Sequence, residues 1–194
     1  MFTHGDILGE SDFNVTDDGD ILIEGKIDQS DPFHKSSVTL VSNHGSVTIT
    51  GKIDGGSRVT LAAAGNIQIG TVGGDGDRKI DGGSNVSVNA GGFISLGNKI
   101  DGGSNVSMNA GDSISIGDKI DNGSTTVLLR AGKGIDIGGK IDGGATARLS
   151  TGSGSIHIHD KIDGGNTRVT YWPPNSLIVD NGVQDGARVI EAPS

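Results

Sequence analysis

Apolar residues in this chain recur at every second position in short runs, and glycine-rich turns separate the runs. Three kinds of segment repeat in a fixed order. Segment A alternates as Val86, Val88, Ala90, then Val106, Met108, Ala110, then Val127, Leu129, Ala131. Segment B follows a turn and carries Ile94 and Leu96, then Ile114 and Ile116, then Ile135 and Ile137. Segment C is a single isoleucine: Ile100, Ile120, Ile141. Asn, Ser, Asp and Thr stand between these positions, giving the period-two alternation of strands with one buried face. Apolar residues do not recur at i, i+3 and i+4, and glycine at this density would cost a helix about 1 kcal/mol per site.

The segments belong to a repeat. Lys-Ile-Asp begins at Lys26, Lys52, Lys79, Lys99, Lys119, Lys140 and Lys161, with successive spacings of 26, 27, 20, 20, 21 and 21 residues. Self-similarity at such a period marks a repeat architecture. A unit of three short strands and three turns is one coil of a solenoid. The sequence therefore predicts an all-β chain: a single three-sided parallel β-helix (β-solenoid) of about seven coils plus partial end coils, right-handed by the crossover rule. Ile21, Val47, Ile67, Ile94, Ile114, Ile135, Ile156 and Leu177 should stack as one column at ~4.8 Å per rung. Residues 1–194 read as one domain, with regular coils over 13–170 and a C-terminal cap coil over 171–194. Pro173 and Pro174 mark the cap, since proline is tolerated at a strand edge. The longer spacings place surface excursions at Gln29–Lys35 and Thr71–Arg78, and exposed loops are frequent carriers of function.

Composition narrows the picture. Hydrophobic residues make up 32% and aromatics 3% of the chain, against 35 glycines, which suits a thin core in which each coil touches only its neighbours. Without cysteine there is no disulfide framework and no thiolate chemistry. A net charge of -9 and a pI near 4.8 argue against a nucleic-acid partner, which would require clustered Lys and Arg. No apolar run is long enough to cross a bilayer. The first residues lack the basic and apolar regions of a signal peptide. As written the chain reads as cytoplasmic, with the cell surface or secretion as the reading if a leader has been removed.

Units such as Gly19-Asp20-Ile21-Leu22-Ile23 and Gly154-Ser155-Ile156-His157-Ile158 resemble bacterial adhesin repeats. The turn Ala110-Gly111-Asp112-Ser113-Ile114 is similar to the rhythm of filamentous-haemagglutinin-type solenoids. The resemblance covers roughly residues 13–190. It implies a parallel β-helix with a surface or adhesive role, and brings no catalytic residues with it. A second similar class is the bactofilins, small β-helices that polymerise end to end.

Candidate chemistry lies in four places. The triplets form a charged ladder, with Lys79 and Asp81, Lys99 and Asp101, Lys119 and Asp121, and Lys140 and Asp142 among its members. Each Asp is placed to accept hydrogen bonds from the turn that follows. Each Lys should drape over the rod and pair diagonally with an Asp, or else serve in a stripe that binds a repeating polymer. Outward Asn85, Ser87, Asn89, Asn105, Ser107 and Asn109 form the most regular polar surface, suited to carbohydrate or another protein. His157 and His159 should face outward about 6.6 Å apart. Asp136 is expected one rung below His157 and Asp180 one rung above His159, a set able to hold a divalent metal. The run Gly73-Gly74-Asp75-Gly76-Asp77 lacks the spacing of a calcium loop. No cofactor is expected. The leading expectation is a non-catalytic structural or adhesive module that presents a regular polar surface to a polysaccharide or cell-surface partner. The alternatives are a polymer assembling through its end rungs and a polysaccharide-active β-helix enzyme.

Overall fold

A computed structural model describes residues 1–9, 12–28, 37–70 and 79–193. These residues form a parallel β-solenoid of about eight turns with three parallel sheets. Among them there is no helix, and hence none long and apolar enough to cross a membrane.

The segment A strands build one nine-stranded sheet: Phe13–Asp17, Ser37–Ser42, Arg58–Ala63, Asn85–Ala90, Asn105–Ala110, Thr126–Ala131, Thr146–Thr151, Arg168–Trp172 and Arg188–Glu191. We call it face A. Segment B strands build a second nine-stranded sheet, face B, running from Phe2–His4 through Ile94–Leu96, Ser113–Ile116, Gly134–Ile137 and Ile156–Ile158 to Leu177–Val179. The third side begins as a three-stranded sheet and continues as single parallel bridges from Ile53 through Ile80, Ile100, Ile120, Ile141 and Ile162 to Val183. Eight intervals of ~4.8 Å between the strands of face A make a rod about 38 Å long.

Alternation decides what fills the rod. In face A, Val59, Val86, Val106 and Val127 are in register and point inward, while the residues between them point out. In face B, Ile67, Ile94, Ile114, Ile135 and Ile156 are mutual partners, all at most 2% exposed. Burying each such side chain contributes roughly 1.5–3 kcal/mol, so a narrow spine of β-branched residues suffices where aromatics are few. The predicted column is the core from Ile21 to Ile156, and its last member, Leu177, is partly buried against it.

Among the described residues, the corner after each triplet from Lys52 onward is a tight turn. Asp101 Oδ1 accepts the Gly102 N–H at 2.6 Å, and the Asp101 carbonyl accepts the Ser104 N–H at 3.2 Å. Gly102 and Gly103 have φ of +67° and +76°, a left-handed region that costs residues with a Cβ. Space forbids a side chain as well, because a Cβ on Gly102 would lie 1.9 Å from Asp81 Oδ1 on the adjacent rung. The hydroxyl residues closing these turns, Ser57, Ser84, Ser104, Thr125 and Thr167, are fully buried or nearly so. Ala145 occupies the same place in one coil.

The columns run past Pro173 and Pro174. Leu177 and Val179 join face B, Val183 joins the corner bridges and Val189 joins face A. The proline pair sits in the turn between Arg168–Trp172 and Leu177–Val179, where Ser176 donates both its N–H and its hydroxyl to the Pro173 carbonyl. Both proposed excursions, Gln29–Lys35 and Thr71–Arg78, lie outside the described residues.

Candidate functional site

The charged ladder forms, but with different pairs from those expected. Each Lys reaches the Asp of its own triplet, where a diagonal pairing was expected. The Nζ···Oδ2 separations are 2.8 Å for Lys26–Asp28 and Lys52–Asp54, and 2.6 Å for Lys79–Asp81 and Lys99–Asp101. Lys119–Asp121, Lys140–Asp142 and Lys161–Asp163 pair in the same way. Residues i and i+2 of an extended chain share a side, which brings the two heads together. The carboxylate is thus divided, with Oδ1 on a turn amide and Oδ2 on the ammonium, as at Asp101 and Asp142. Lys140 draws the Asp142 carboxyl below its ordinary range, and the Asp142 hydrogen bond in turn raises Lys140. All seven ammonium groups of this corner are matched to carboxylates.

Face A is different. Asn85 aligns with Asn105, Ser87 with Ser107 and Asn89 with Asn109, so the structure brings together the whole predicted polar surface. Asn105 Nδ2 donates to Asn85 Oδ1 at 3.3 Å. A shallow open groove of about 440 Å³ runs over Asn85, Ser87, Asn105 and Ser107 and is flanked by Arg58 and Leu128. Asn109 belongs to the next depression along the face.

That next region was not foreseen. Arg58, Arg130, Arg148, Arg168 and Arg188 all occupy outward positions of face A. They are five of the six arginines in the chain, and the sixth, Arg78, lies outside the described residues. Arg130 aligns with Ser150, two residues after Arg148 on the next strand, and Arg148 aligns with Thr170, two residues after Arg168. The three therefore step diagonally across adjacent strands at about 8 Å per step. No outward position in register from Ser37 to Ile190 on this face is Asp or Glu. Among the described residues, none of these five guanidinium groups has an ion-pair partner. Two depressions of about 310 and 170 Å³ share Arg130, Ser150 and half-exposed Trp172 in their walls. Arg148 and Tyr171 line the smaller one. The signal was present in the sequence, since each Arg falls one residue from an inward Val, Ala or Leu. It was masked because the net charge of the whole chain is acidic.

The histidines lie on face B. Asp136 aligns with His157, as expected. The side chains then cross: His157 Nε2 meets Asp180 Oδ1 at 2.7 Å, and His159 Nε2 meets Asp136 Oδ1 at 2.7 Å. His159 Nδ1 also lies 3.5 Å from Asp180 Oδ2. The rings lean together with centroids 3.9 Å apart, much closer than the strand spacing predicts. The His157 hydrogen bond holds the Asp180 carboxyl below its usual range. The run Gly73–Asp77 lies outside the described residues.

Comparison of the chain with known families, curated proteins and solved structures gives no match.

Proposed function

We propose that this protein is a non-catalytic binding module whose face A takes an acidic polysaccharide lengthwise. One observation carries the reading: every described arginine lies on a single face that has no carboxylate among its in-register outward positions. Guanidinium forks pair well with carboxylate or sulfate groups, and unpaired ones lose no existing partner on binding. The Asn and Ser rows supply donors and acceptors for sugar hydroxyls, while the exposed ring of Trp172 offers a surface for the apolar face of a sugar. The diagonal of Arg130, Arg148 and Arg168 favours an extended polymer bearing charge at regular intervals over a compact ligand. The strands beneath it are pinned on both sides, so the surface is already ordered before binding.

Affinity electrophoresis through gels containing polygalacturonate, dextran or single-stranded DNA tests this. Polygalacturonate should retard the wild type, dextran should not, and Arg130→Ala/Arg148→Ala/Arg168→Ala should restore free migration. Equal migration of wild type and triple variant in polygalacturonate, or stronger retardation by DNA, would overturn the reading.

A further inference from the structure

We propose that Asp136, His157, His159 and Asp180 form a binding site on face B for one divalent transition-metal ion of the zinc class. The four donors come from three successive rungs, Gly134–Ile137, Ile156–Ile158 and Leu177–Val179, with His159 and Asp180 just beyond the last two. The backbone ladder fixes those rungs: His159 N–H donates to the Ile137 carbonyl and Asp180 N–H to the Ile158 carbonyl. Little chain ordering remains to oppose chelation.

Three of the four donors already converge, and Asp180 lies 2.7 Å from His157 Nε2. One ligand atom each from Asp136, His157 and His159 lies within 4.8 Å of the others. A zinc ion with bonds of about 2.0–2.2 Å holds neighbouring ligand atoms roughly 3.4 Å apart, so modest side-chain rotations close the set. Two alternate residues of one strand normally stand further apart than the 3.9 Å between these ring centroids. Here both rings lean into the space between Asp136 and Asp180.

Charge and donor chemistry select the ion. With neutral imidazoles the four side chains carry a formal charge of -2. Among the described residues, the only basic groups within ion-pair distance of Asp136 and Asp180 are the two histidines. A divalent cation balances that charge, each neutral imidazole ligating through its unprotonated nitrogen and keeping its one N–H on the other ring nitrogen. Two imidazole nitrogens favour zinc, copper, nickel or cobalt over magnesium and calcium, which prefer all-oxygen sets.

Isothermal titration of the whole chain with zinc chloride at neutral pH in a non-chelating buffer is the test. We expect one zinc per chain and no binding of magnesium. Loss of a group that merely orients a zinc ligand weakens sites 10–100-fold, so His159→Ala should weaken binding at least about tenfold. Asp136→Asn should lose affinity too, and His44→Ala, far along the chain, should bind as the wild type does. Zinc should raise the melting temperature of the wild type and leave that of His157→Ala/His159→Ala unchanged. These side chains are on the surface, so the variants should fold, and circular dichroism checks that they do. No zinc binding by the wild type, or unchanged binding by the double-histidine variant, would overturn the proposal. The site is on a different face from the arginines, so its failure leaves the polysaccharide reading intact, and the converse holds too.

Discussion

The solenoid carries two sets of cations that differ in kind. The lysines of the corner are each tied to an aspartate two residues on, and from Asp54 onward that aspartate is tied to the turn. The arginines of face A stand on a flat sheet whose outward in-register positions from Ser37 to Ile190 hold no carboxylate. Lysine at the corner completes a structural unit, whereas arginine on the face leaves its charge open to a partner. The difference teaches that charge totals, and even a strict charge repeat, do not locate a binding surface. The most regular charges in the sequence are the ones the fold uses up internally.

Substitutions can separate the two regions, and the largest effect belongs to the corner. Gly102→Ala forces a Cβ into a left-handed turn against Asp81, and should destabilise the fold by about 3 kcal/mol. At this chain length that corresponds to a melting temperature lower by roughly 10 °C, while folded protein should still bind polygalacturonate. An unchanged melting temperature would show that the turn tolerates the side chain.

Next comes a paired contrast. Asp101→Ala removes the turn acceptor and the partner of Lys99 together, at a cost of about 1–2 kcal/mol in stability with no loss of binding. Arg148→Ala should do the reverse. Its stability should stay within about 0.5 kcal/mol of wild type, while polygalacturonate affinity falls roughly fivefold. A loss of binding in Asp101→Ala matching that in Arg148→Ala would erase the distinction.

The effect of pH is smaller. The pairing with Lys140 lowers the Asp142 carboxyl in the folded chain, so its stabilisation is present above the unfolded value of about 3.9 and is lost as pH falls through the lowered folded value. Asp142→Asn should therefore melt below wild type at neutral pH, and the gap should narrow under acid conditions near pH 3. A gap that stays constant with pH would assign its cause to something other than this ionisation. The smallest effect is at Ser104, whose buried Oγ finds no hydrogen-bond partner among the described residues. Ser104→Ala should be neutral or slightly stabilising in thermal melts, in keeping with Ala145 at the equivalent place.

The fold was legible because its determinants repeat. Ile94, Ile114 and Ile135 occupy one position of the coil and declare the column by recurrence. Asp101 precedes its glycines in a pattern that turn chemistry explains. The pairing within the ladder was harder to read, since it depends on how one carboxylate divides its two oxygens between a backbone amide and an ammonium. The arginine track was hidden for a related reason. Arg130, Arg148 and Arg168 occupy a different outward position in each coil, so no single column announces them, and only the lateral register of adjacent strands makes them neighbours. The histidine cluster was half visible. The register placed Asp136 beside His157, but the crossing of the side chains toward the opposite rungs depends on rotamers that the alternation does not encode.

Strict stacking also has a consequence for length. Lys99 and Lys119 occupy equivalent places twenty residues apart, so excising 99–118 would join Asn98 to Lys119 in the same phase and leave all three sides aligned. The molecule would be shorter by one ~4.8 Å graduation, with Arg130 onward undisturbed. Such a chain is a ruler whose reach can be trimmed or extended a notch at a time without redrawing what is written on its edge.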